Sequence, residues 1–234
     1  MEQLITKIFG ADPAKVSDFF KMLGDMFRGT EITISIFFLT LIFAIPFALI
    51  IAFGRMSKRK ILSKITNFFL LLIRGTPLML QLLIVYFGPL FIARWMKVTI
   101  TWPSFVAAIV AYSINYACYF SEIYRGGIEA IPKGQYEAAK VLGYTKRQTF
   151  FKIIIPQVIK RIIPAMGNEV ITLVKDTSLV TIISVSELMR VTKDAANKNV
   201  SFTPFIIAGI FYFVMNWIVS FVFAKVEKKL SYYN

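Results

Sequence analysis

The chain has 234 residues, of which 57% are hydrophobic and only 17% charged, with a formal net charge of +14 and a mean hydropathy of +0.66. An apolar share above the ~45–50% of soluble domains excludes an ordinary soluble protein, and the basic residues collect between apolar runs, which assigns the charge to membrane orientation and argues against nucleic acid. There is no histidine and one cysteine, Cys118, which rules out an intramolecular disulfide, a thiol–imidazole pair and zinc sites built on His or several Cys.

In chain order, residues 1–28 carry Asp12, Asp18 and Asp25 between short apolar stretches. They lack a basic start and a small-residue cleavage site, and so predict an extracytoplasmic amino-terminal segment without a cleavable signal peptide. Residues 32–53 contain no charged side chain and predict a first span over about 30–54. Arg55, Lys58, Arg59, Lys60 and Lys64 then crowd a loop whose charge places it in the cytoplasm.

Residues 65–73 are apolar, but Arg74, Gly75 and Pro77 follow, so the second span, about 75–94, is expected to have a kinked or two-part lead-in. Arg74 is expected near the cytoplasmic interface, snorkelling or paired. Residues 98–121 are free of charge and give a third span over about 99–121. The segment 125–160 is far longer than a usual connection and, with Arg161, carries eight basic residues, so it is expected on the cytoplasmic side.

Residues 162–183 have the length and apolar content of a fourth span but are interrupted by Glu169, Lys175 and Asp176. The loop 184–203 balances three basic residues with Glu187 and Asp194 and is expected outside. Residues 200–224 are again free of charge, giving a fifth span over about 203–224 and a cytoplasmic tail, 226–234, with Lys228 and Lys229. Each charge-free run reaches the ~17–20 residues that cross ~30 Å of hydrocarbon. The expectation is an all-α integral membrane protein with five transmembrane helices in lipid, forming one domain over 29–225.

One spacing in the third loop is specific. Glu137, Ala138 and Ala139 are followed after three residues by Gly143, with Tyr144 beside it, and after nine more by Ile153, Ile154, Ile155 and Pro156. Two alanines let another surface come close, Gly143 can take the left-handed conformation that ends a helix, and Thr145 with Gln148 makes a capping-box start for the next. Pro156 is expected to break that second short helix from the span that follows. The pattern reads as a helix, a turn and a helix forming a bent knob.

This spacing resembles the cytoplasmic coupling motif of ABC importer permeases, with Ile155 where Leu is usual. Arg74-Gly75-Thr76-Pro77, Tyr124-Arg125-Gly126-Gly127, Pro132-Lys133-Gly134-Gln135 and Lys175-Asp176-Thr177-Ser178-Leu179 look like segments of the polar amino acid branch. The resemblance covers the chain from about residue 29 to the end of the fifth span. It implies the fold of a type I importer permease in a bacterial inner membrane, a dimer of ABC ATPase subunits whose grooves receive the knob at Glu137 to Tyr144, and an extracytoplasmic amino acid-binding protein. It also implies a second permease, identical or related, and uptake of a polar amino acid by alternating access. No Gly-x-x-x-x-Gly-Lys-Ser/Thr loop occurs, so ATP and Mg are expected on the partner ATPase and no cofactor on this chain.

Charges within a span cost about 2.5–3.5 kcal/mol each on insertion scales and by default face a cavity or a partner. Glu169, Thr172 and Asp176 fall at i, i+3 and i+7 on one helix face, with Asn168, Thr172 and Lys175 on the adjacent one. Glu169 leads as a substrate-path residue. Lys175 and Asp176 could equally pair or hydrate near the outer surface, and Gln81, Ser113 and Asn115 could equally serve helix–helix hydrogen bonding. The rival reading is a stand-alone secondary transporter or channel, against which the knob and the absence of an inverted repeat argue. A membrane enzyme ranks below both, for want of clustered chemistry beyond the carboxylate stripe.

Overall fold

The structure, a computed structural model, describes residues 13–100 and 102–230, and among them it is all-helical. Residues 1–12 of the expected amino-terminal segment and 231–234 of the expected tail lie outside the described residues. The first helix, α1 (Pro13–Arg55), has 43 residues and so measures about 65 Å, twice the thickness of the hydrocarbon layer. It runs unbroken through residue 28, where the sequence suggested that one segment ends. The hydroxyls of Thr30, Thr33 and Ser35 donate to carbonyls four residues earlier, which keeps these polar groups satisfied within the helix.

Two short helices and a break follow. Helix α2 (Lys60–Arg74) stops at Gly75, and α3 (Leu78–Trp95) starts after Pro77. Pro77 has no N–H to donate and holds Thr76 out of the helical region. Next comes α4 (Ser104–Glu129), the most buried helix of the bundle. Ala107, Ala108 and Ala111 of α4 and Ala44, Ala48 and Ala52 of α1 are all buried, and such small side chains let two helices pack closely without polar pairing.

The knob is α5 (Lys133–Val141), a turn, and α6 (Lys146–Gln148), leading through a π-helical stretch (Thr149–Ile154) into α7 (Ile155–Asp176). Pro156 therefore does not separate the second short helix from the span. Its missing N–H is absorbed by widening the turn before it, where the Ile155 N–H reaches the Phe150 carbonyl. Gly127 marks the crossing of α4 and α7, because a Cβ there would collide with Ile162 and press on Val158.

Helix α7 gives way at Thr177 to a 3-10 segment (Thr177–Ile183), in which Thr177 and Ser178 hydroxyls bond carbonyls three residues back. Then come α8 (Leu188–Asn199) and α9 (Thr203–Leu230). Among the described residues α1, α3, α4 and α9 are long and apolar enough to cross a membrane. Only 6% of the most apolar stretch of α9 is buried, so nearly all of that stretch is left to lipid or to another chain.

At the end of the bundle away from the knob, Glu187 is fully buried and caps α8. Its carboxylate accepts the N–H groups of Met189 (2.7 Å) and Arg190 (2.8 Å) and the Tyr212 hydroxyl of α9 (3.1 Å), while Leu188 N–H donates to Thr33 of α1. Burial pushes the Glu187 carboxyl up to about 6 against these donors, which hold it down. Glu187 thus ties α8 to α9, and Leu188 beside it ties α8 to α1.

Candidate functional site

The knob is built by local rules. At the end of α5, Gly143 has φ +77°, its N–H reaches the Lys140 carbonyl, and the Tyr144 N–H reaches that of Ala139. This pair of bonds is the Schellman stop, which needs a left-handed residue at the glycine position. Thr145 and Gln148 then form a complete capping box: the Thr145 hydroxyl accepts from Gln148 N–H, and the Gln148 side chain accepts from Thr145 N–H. Ile131, Ile154 and Val158 form a buried cluster under the knob, the Arg161 guanidinium donates to the Ala130 carbonyl, and Gln157 donates to Gln135. The knob is thus braced on the start of α7, and its movement and that of α7 are mechanically linked.

Of the five knob residues expected from sequence, Ala139 is buried against the chain itself, whereas Glu137, Ala138, Gly143 and Tyr144 are exposed. Two further residues share this exposed surface: Val141 and Leu142 are 88% and 73% exposed. Apolar side chains that bare, at the tip of a rigid element, are covered by nothing among the described residues.

The second feature is a cavity of about 160 Å³ lined by Thr76, Leu78, Asn115, Tyr116, Tyr119, Glu169, Thr172 and Asp176. It lies where the α2–α3 break meets α4 and α7. Seven residues amount to almost two whole turns, so Glu169 and Asp176 sit within about 20° of each other around α7. They bring two carboxylates, and no basic side chain, to one cavity. Asp176 is held in place: the Tyr116 hydroxyl donates to its Oδ2 at 2.7 Å and the Tyr112 hydroxyl to its backbone carbonyl at 2.6 Å. The Glu169 carboxylate, by contrast, has neither a hydrogen bond nor an ion pair among the described residues.

Not every expected path residue lies here. Asn168 and Lys175 are exposed and do not line the cavity, because they are turned about 100–120° from Glu169 around the helix. Thr172, at about 60°, still reaches it. Ser113 is buried with no hydrogen-bond partner among the described residues and is not part of the cavity wall.

Gln81 is not in the wall either, and its amide does structural work. Its Nε2 donates to the Ile73 carbonyl at 2.6 Å, with the Thr76 carbonyl and hydroxyl at 3.1 and 2.9 Å, and its Oε1 accepts from Asn115 Nδ2 at 2.9 Å. Two of these acceptors are carbonyls at the helix break. Gln81→Leu would strand the Thr76 carbonyl and the Asn115 amide, and would leave the Ile73 carbonyl only the 3.5 Å bond from the Thr76 hydroxyl, at about 1–3 kcal/mol per unsatisfied buried group. The expected outcome is a detergent-solubilised protein whose melting temperature falls by several degrees. A melting curve identical to wild type would show that the break does not depend on Gln81.

A larger groove, about 410 Å³, lies between α1 and α8. Asp18, Asp25 and Asp194 are matched there by Lys21, Arg28 and Lys198, so it has no excess of charge to select a ligand.

Comparison with known proteins follows the same lines. Residues 44–232 match the family described as binding-protein-dependent transport system inner membrane component. The chain is 38% identical over 205 residues to the arginine transport system permease protein ArtQ of Bacillus subtilis, covering 87% of this chain and 91% of that protein. It is 32% identical over 204 residues to the putative glutamine transport system permease protein GlnP of Rickettsia conorii, with the same coverages. A crystal structure described as an amino acid ABC transporter with histidines superposes with a TM-score of 0.80 at 34% identity, covering 90% of this chain and 96% of that one.

Proposed function

The chain belongs to the binding-protein-dependent transport system inner membrane components, and we propose on that premise that the cavity between Glu169 and Asp176 is where it holds a polar amino acid during transport. It is a multi-pass inner membrane permease subunit of an ABC importer, and the ATPase activity is carried by a separate partner subunit. The observation that carries the substrate assignment is the pair of carboxylates on one face of α7, opening on a cavity that contains no cation of its own. An amino acid's ammonium group supplies the missing charge, and a basic side chain supplies a second one. Asn115, Thr172 and the tyrosine hydroxyls offer uncharged hydrogen-bond partners for the rest.

The Lys/Arg distribution supports an outside amino terminus and a cytoplasmic knob and carboxyl tail. In this reading the exposed tip of the knob, Glu137, Ala138, Val141, Leu142 and Tyr144, seats in a groove of the ATPase, and two permeases, alike or related, face each other across the substrate path. ATP binding draws the knobs together. Because each knob is braced on α7, that movement tilts the helix bearing Glu169 and Asp176 and changes the side to which the cavity opens.

Reconstitution of the permease with its ATPase and binding protein in liposomes tests this. Uptake of arginine or glutamine should require ATP on the knob side and should vanish without the ATPase. Uptake by the permease alone under an ion gradient would make it a secondary transporter instead.

A further inference from the structure

Beside the cavity lies a cluster of opposite sign. Arg74, the last residue of α2, holds its guanidinium 5.3 Å from the centre of the Tyr119 ring, a wall of the cavity, and Thr76, two residues further on, is another wall. Its Nη1 is 3.9 Å from Glu122 of α4. That carboxylate is already occupied, because Arg125 approaches it with Nη2 at 2.7 Å and Nε at 3.2 Å. Arg55, at the end of α1, is a third cation, 4.0 Å from Glu122, and its buried Nε donates no hydrogen bond among the described residues. Glu129 adds one more carboxylate, paired with Arg125 at 2.6 Å. Three guanidiniums thus share two carboxylates, and both of the latter are claimed first by Arg125. Arg74 is left loosely held, 44% exposed and stacked on the cavity wall.

We infer that Arg74 is the counter-charge of the substrate cavity, a positioning residue that weakens the hold of Glu169 and Asp176 on a cationic amino acid so that it can leave. Two carboxylates without a local cation would bind such a substrate tightly and would be costly to leave empty. A permanent positive charge just behind one wall lowers both the affinity and the cost of the empty state. A neutral amino acid, with no net charge, feels this field far less. Arg74 also closes α2 directly before the break that Gln81 and Asn115 pin to α4, so its charge stays in register with the cavity. The inference rests on the reading of this cavity as the substrate site.

The test uses the full complex in liposomes for ATP-driven uptake, and the detergent-solubilised permease–ATPase complex, without binding protein, for the Kd of labelled arginine and glutamine. Arg74→Gln should lower the arginine Kd about tenfold, the effect of one nearby charge in a partly buried site, and slow maximal arginine uptake while leaving glutamine unchanged. Arg74→Lys keeps the charge and should stay near wild type. Combining Arg74→Gln with Glu169→Gln should return the arginine Kd and maximal uptake toward wild type, because the two changes oppose each other. Equal loss for both amino acids in Arg74→Gln, an Arg74→Lys as impaired as Arg74→Gln, or a double variant no better than the single one would each overturn the inference. A wild-type complex that binds glutamine but no arginine would also overturn the inference, whereas one that binds neither would defeat the reading of the cavity itself, and the inference with it.

Discussion

Glu169→Gln is expected to raise the Kd for arginine of the permease–ATPase complex about ten- to hundredfold and to lower ATP-driven arginine uptake, with ATPase binding and membrane insertion intact. The magnitude is that of a charge-assisted hydrogen bond, about 1.5–3 kcal/mol. The direction follows from what Glu169 lacks. Asp176 has the Tyr116 hydroxyl on its Oδ2, whereas the Glu169 carboxylate has no bond to any described residue. The substitution keeps size and removes only charge, so packing is preserved and no existing contact is broken. A neutral substrate should lose less, since only its ammonium group is affected. Kinetics unchanged for arginine, glutamine and the other polar amino acids would make Glu169 a structural residue and leave the cavity without a substrate role.

How much of this was legible in the sequence depended on whether a feature is local. The positive φ of Gly143 and the capping box of Thr145 and Gln148 are set by residues within a few positions, and the sequence predicts both. So is the break at Gly75–Pro77, because proline acts on its own immediate neighbours. The shared face of Glu169 and Asp176 follows from helical periodicity alone. What periodicity leaves open is the angular width of a face: Asn168 and Lys175 sit on the stripe next to Glu169, and only the placement of α4 shows that Thr172 reaches the cavity while they do not.

Gln81 illustrates the other limit. A lone amide in a span has the same sequence signature whether it waits for a ligand or satisfies a neighbour. Its partners, the carbonyls of Ile73 and Thr76 and the amide of Asn115, become visible only once two helix ends and α4 are brought together. Tyr116 and Tyr119 look like ordinary span aromatics for the same reason, yet both form walls of the cavity. The run of one helix through residue 28 and the smooth passage through Pro156 were also beyond local rules. At Pro156 the chain absorbed an awkward residue by one widened stretch before α7.

Gly143→Val is expected to uncouple the permease from its ATPase: amino acid transported per ATP hydrolysed should fall about five- to thirtyfold, while insertion into the membrane and arginine binding to the cavity persist. A Cβ at this position would meet nothing within 4 Å, so the cost is one of backbone conformation and not of crowding. Valine at φ +77° incurs at least the ~1–2 kcal/mol of the left-handed region, and its branched side chain adds to that. A penalty of that size shifts a local equilibrium by a factor of about 5–30. The bonds at risk are those from Gly143 and Tyr144 to the carbonyls of Lys140 and Ala139. Without them α5 frays at the tip that carries Val141 and Leu142, and force applied there no longer reaches α7. Gly143→Asn separates this mechanism from a simple intolerance of side chains, because asparagine enters the left-handed region readily and should retain most of the coupling. Wild-type coupling in Gly143→Val, or equal damage from Asn and Val, would show that the left-handed turn is not what transmits the force.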